Sequence, residues 1–128
     1  MPYTPNPQHR NRAYAGIKSQ WTVPVIDEIT CFEDAANAHW FAKDCYWGIK
    51  VNDGTILPLG TAPPPDSCNA HFAKFVGDSH LNWHGYPVAH WISPWDRPAQ
   101  SILSVWKDGG YISKVQMARI VRGKKCAL

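Results

Sequence analysis

Between Cys68 and Trp95 the chain concentrates four of its six histidines and three of its seven tryptophans. These side chains are the ones most used to move protons, hold metals or stack on ligands. Three kinds of chemistry are open to them. His80, His84 and His90 can act as acid and base in a small hydrolase, with Asp78 near enough in sequence to orient one ring. Lys74 or Arg97 would then stabilise an anionic transition state, and a ribonuclease-like phosphodiesterase needs little more.

Zinc is the second option. Cys68-x-x-His71 followed by His80-x-x-x-His84 has ligand-like spacing within each pair. The nine-residue step from His71 to His80 is short for a finger, and Leu81 stands where a zinc peptidase carries its glutamate. The sequence therefore argues for no cofactor, with Cys68, His71, His80 and His84 the weak metal candidates. The third option is recognition without catalysis. Trp83, Tyr86, Trp91 and Trp95 offer aromatic surface to a protein or to the bases of a nucleic acid.

Charge adds a second candidate surface. Residues 27–108 hold all ten acids and only five of the thirteen lysines and arginines, so both ends of the chain are purely basic. Lys114, Arg119, Arg122 and Lys124 lie on or just after a predicted helix, and Arg119 and Arg122 are spaced to share a face. A basic helix following another helix and a glycine turn has the outline of a helix-turn-helix. The four cysteines, Cys31, Cys45, Cys68 and Cys126, form no Cys-x-x-Cys pair and are expected to be free thiols. Phosphate-cradling and dinucleotide glycine motifs are absent. No apolar run is long enough for a membrane span, and the first residues carry no apolar leader, so a cytoplasmic location is expected.

These side chains must be positioned by an α+β fold. Residues 1–12, with Pro2, Pro5 and Pro7, predict a flexible proline-rich tail ahead of one globular domain over 13–128. Trp21–Ile26 reads as an edge strand interrupted by Pro24. The capping pattern Thr30-x-x-Glu33 predicts a helix over about 31–42, with His39 on or near its apolar face. Asp53-Gly54 predicts a β-hairpin over about 47–59, with Val51 opposite Ile56 in a small antiparallel sheet. Residues 61–67, rich in proline, read as a stiff connector, and 71–76 as a further strand. Gly85, Pro87, Pro94 and Pro98 predict a long irregular loop over 78–98.

A C-terminal helical hairpin over about 97–122 completes the architecture. Asp96 is expected to cap its first helix, Ala99, Ile102, Leu103 and Trp106 to form the apolar stripe, Gly109-Gly110 to end it, and Ser113 to cap the second. The reading favours a non-catalytic module that binds a protein or nucleic acid through the 80–95 loop and the basic C-terminal helix. The histidine hydrolase is the alternative.

Overall fold

The computed structural model describes residues 1–128. In chain order its elements are β1 (Gln20–Trp21), α1 (Val25–Asn37), β2 (Phe41–Ala42), β3 (Cys45–Gly48), β4 (Val51–Asn52), β5 (Thr55–Ile56), β6 (Gly60–Thr61), β7 (Asn69–Ala70), β8 (Phe72–Gly77), β9 (Trp83–Val88), α2 (Gln100–Asp108) and α3 (Lys114–Val121). Short 3-10 turns lie at Pro7–Arg10, Arg12–Tyr14 and Pro94–Asp96. The result is a small α+β fold with antiparallel sheets and a C-terminal helical pair. None of its helices is long and apolar enough to cross a membrane.

The main sheet runs β2-β3-β8-β9 and is antiparallel throughout. Alternation along β8 sends Phe72 and Val76 to one face and Ala73 and Phe75 to the other. The first face, with Trp47 and Val88, packs on Ile102, Leu103 and Trp106 of α2 and Ile120 of α3. The second face, with Trp83, packs on Cys31 and Phe32 of α1 and on Trp21 and Leu59. The sheet is thus a middle layer between α1 and the helical pair. The sequence places Val51 opposite Ile56, and so does the structure, with Asp53 and Gly54 both at positive φ in the turn.

The helical pair also forms as expected in its interior. Ala99, Ile102, Leu103 and Trp106 are buried, and Ser113 and Gln116 make the reciprocal cap of α3. Asp96 does not cap α2. Pro98 holds Arg97 extended, so the helix starts at Gln100 and Asp96 sits in the preceding 3-10 turn.

Other expectations are corrected. The first helix covers Val25–Asn37, not 31–42, and the strand reading of Trp21–Ile26 shrinks to β1. Pro24 is its N-cap and Asp27 and Glu28 lie in its first turn, where a fixed φ and negative charge both favour helix entry. Thr30 and Glu33 fall inside it. The buried residues Glu28, Cys31, Phe32 and Ala35 keep helical spacing, whereas His39 lies beyond the end, exposed and at positive φ.

The 78–98 segment instead contains a six-residue strand, β9. β9 pairs with β8 along its whole length, from Phe72↔Val88 to Gly77↔Trp83. Gly85 is needed because a Cβ there would strike the Phe75 ring. Pro87 is tolerated because it shares the outward parity of Trp83, so its missing N–H takes nothing from the ladder to β8.

The proline-rich N-terminus lies along the outer edge of β9. The Trp83 amide donates to Pro2 O at 2.9 Å, and the Thr4 amide donates to Trp83 O at 2.8 Å. Tyr3 packs against both Phe32 and Phe75 and donates its hydroxyl to Glu28 Oε2. Arg10 Nε donates to Glu28 Oε1 at 2.9 Å, and its Nη1 donates to Val23 O at 2.8 Å. Glu28 itself is fully buried, at 0 % exposure.

Two stability predictions follow from this packing. Arg10→Ala leaves the buried Glu28 carboxylate without its cation and is expected to cost about 3–5 kcal/mol, read from urea unfolding. Trp106 is completely buried against Phe72 and Trp40. Trp106→Ala is expected to cost about 3–5 kcal/mol, and Trp106→Phe much less, because the indole N–H has no partner to lose.

Candidate functional site

The helical pair does not cover the whole of its sheet face. Towards β9 the face is left open between the N-terminal turns and the loop after β9, forming a cleft of about 430 Å³. His84 and Tyr86 reach it because they alternate on one side of β9. His9, Lys18 and Ser19 come from the N-terminal turns, and Asp96 from the 3-10 turn before α2. Ile17, Pro87 and Ile92 supply apolar lining.

His9 is held on two sides. Its ring stacks on Tyr86 with centroids 4.9 Å apart and planes 13° from parallel. Its Nδ1 lies 2.8 Å from Ser19 O, so Nδ1 carries the proton and donates to the carbonyl. Nε2 therefore keeps the lone pair and makes no hydrogen bond within the chain. Burial holds the ring's pKa below the ordinary histidine value, and Lys18 and His84 push it the same way. His9 is thus a neutral imidazole with a free acceptor nitrogen.

Its neighbours are also perturbed and unpartnered. Burial raises the Tyr86 hydroxyl to about 12, with the Asp96 charge adding to the shift. Burial likewise raises Asp96, against an opposing pull from Lys74. Neither the Tyr86 hydroxyl nor the Asp96 carboxylate has a hydrogen-bond partner in the chain. A cleft that gathers perturbed, unpaired titratable groups has the makings of a working site.

A second surface adjoins it. Trp95 is 81 % exposed and stands beside Asp96. Its ring lines a slot with Lys43, Trp47 and Lys74. Lys74 Nζ donates to Trp95 O at 2.7 Å and lies 5.6 Å from the Trp47 ring centroid. Arg97 then ties this turn to the C-terminus by donating to Val121 O at 3.3 Å. Lys114, Arg119, Arg122 and Lys124 are all exposed. Arg119 spends two donors on Lys125 O, at 3.2 and 2.8 Å, yet remains on the surface.

The histidines singled out by sequence separate. His84 lines the cleft, His80 is exposed in the turn before β9, and His90 is buried on the other side of the loop. His90 Nε2 donates to Lys124 O at 2.8 Å, which makes it a brace for the C-terminus. Asp78 orients no ring. Its Oδ1 accepts the His80 and Asn82 amides at 2.8 and 3.0 Å and so shapes the turn. Lys74 and Arg97 are likewise committed to carbonyls.

The tryptophans divide in the same way. Trp83 is core, and Trp91 donates to Asp66 Oδ2 at 2.6 Å beneath Lys125. Tyr86 and Trp95 are open to a ligand. Cys68, His71, His80 and His84 form no metal-holding group, and no set of three such ligands occurs elsewhere. All four cysteines are free, and burial pushes the Cys31 thiol well up. Sequence reasoning missed His9 and Asp96 as site residues, since neither sits in a motif. No protein-family model, curated protein or solved structure matches this chain.

The buried histidines make stability depend on pH. His9, His71 and His90 all have depressed pKa values, chiefly through burial. Between the folded and unfolded values the unfolded chain binds more protons, so stability is full above the ordinary histidine value of 6.5 and is lost as pH falls below it. The thermal midpoint is expected to drop between pH 7.5 and 5, and His90→Gln to flatten that slope.

Proposed function

We propose that this chain is a binding module for single-stranded nucleic acid. The observation that carries the reading is the conjunction of an 81 % exposed Trp95 with the basic C-terminal surface, joined through Arg97. Residues 109–128 contain five lysines and arginines and no acid, and Lys125 alone among these is paired, with Asp66 at 3.1 Å. Positive charge of one sign attracts a phosphate backbone, and an exposed indole stacks on any base. A protein partner with an acidic patch would suit the charge but leaves the aromatic platform without a specific role.

The test is fluorescence anisotropy with labelled single-stranded RNA across a salt series. Affinity is expected to fall steeply with salt, with a log–log slope that decreases by roughly 0.7 for each phosphate contact removed. Replacing Lys114, Arg119, Arg122 and Lys124 by alanine should flatten the slope for every sequence alike. Trp95→Ala should cost about 1–3 kcal/mol of binding without changing the slope. Absence of binding at low salt would overturn the reading.

A further inference from the structure

We propose that the cleft beside Trp95 cleaves the RNA strand, with His9 as the base and His84 as the acid. The inference rests on the nucleic-acid reading for its substrate class, and on the cleft's own geometry for its chemistry. Trp95 lines the neighbouring slot and Asp96, the next residue, lines the cleft, so the two openings adjoin and a strand stacked on the Trp95 ring can place a neighbouring nucleotide over Tyr86, His84 and His9. The cleft's volume, about 430 Å³, accommodates a nucleotide.

Two histidines line that space. His9 stacks on Tyr86 at 4.9 Å, and Tyr86 lies two residues from His84 on one face of β9. Same-face neighbours on a strand stand roughly 7 Å apart, so the His9 ring on Tyr86 and the His84 ring border one space. His9 has the tautomer a base requires, because Ser19 O fixes the proton on Nδ1 and leaves Nε2 as an acceptor. His84 is half-buried and unbonded, free to face the leaving oxygen. Lys18, at the rim, supplies positive charge for the phosphoryl oxygens.

The step balances without a further reactant. His9 Nε2 takes the proton of the ribose 2′-hydroxyl as the 2′-oxygen bonds to phosphorus. The bond from phosphorus to the 5′-oxygen breaks, and the 5′-oxygen takes a proton from His84. The products are a 2′,3′-cyclic phosphate and a 5′-hydroxyl. Proton exchange with solvent then restores both rings. Tyr86 orients His9 through the stack and is a positioning residue.

The test incubates the full chain with end-labelled single-stranded RNA, with DNA of the same sequence, and with a dinucleoside monophosphate too short to reach the basic surface. Cleavage of RNA and of the dinucleotide is expected, DNA should be bound but uncut, and the product should carry a cyclic phosphate. His84→Ala should slow cleavage by about 100-fold or more while keeping the folded circular-dichroism signal. His9→Ala should do the same. Should it lose its folded circular-dichroism signal, His9→Gln serves in its place. RNA that is bound but uncut would overturn the cleavage proposal alone. Loss of binding with the dinucleotide still cut would overturn only the binding surface. Cutting undiminished in His84→Ala would also sink the assignment.

Discussion

The buried carboxylate of Glu28 is the interaction on which the rest of this structure depends. An ionised carboxylate with no exposure is costly to desolvate and persists only where donors surround it. Here one donor comes from Tyr3 and another from Arg10, both in the N-terminal segment, while the acceptor belongs to α1. The clamp thus fixes both ends of an eight-residue strap, Tyr3 to Arg10, across the sheet. Pro2 and Thr4, on either side of Tyr3, satisfy β9, and just before Arg10 the strap delivers His9 onto Tyr86. Packing, sheet closure and the cleft share a single ionic anchor.

Local patterns read well where the interaction that decides them is itself local. The Asp53-Gly54 turn, the Ala99–Trp106 stripe, the Gly109-Gly110 stop and the Ser113 cap each depend on neighbours a few residues away. The errors arose where a distant partner decides. Gly85 and Pro87 punctuate the sequence like a loop, but the Phe75 ring and an outward-facing edge turn them into strand residues. Thr30-x-x-Glu33 has the form of a cap, but the helix is already running from Pro24, with Glu28 pointing inwards to partners at positions 3 and 10. His9 belonged to a tail by composition, and only its fold-back places it in a site.

The sequence also drew attention to the right segment for a partly mistaken reason. The aromatic and histidine residues of 80–95 do not work as one surface. Trp83 and His90 are structural, Trp91 is tied to Asp66, His80 stands exposed in a turn away from the cleft, and His84, Tyr86 and Trp95 face the two openings. Residue type indicated what could be used, whereas burial decided what is. The same sorting applies to charge, since Arg10, Lys74 and Arg97 are held by partners while the α3 cations stand free of acids.

The strap has a consequence for how copies of this chain meet. A strand at a sheet margin normally displays unpaired amides and carbonyls, an invitation for another molecule's strand to join. On β9 the Trp83 groups are taken by Pro2 and Thr4, the Gly85 carbonyl receives the Trp21 indole, and Pro87 has no amide to offer. The opposite margin, β2, is only two residues long. The segment that completes the cleft therefore also seals the sheet against intermolecular strand addition, so releasing it would expose a sticky edge as well as dismantle a site.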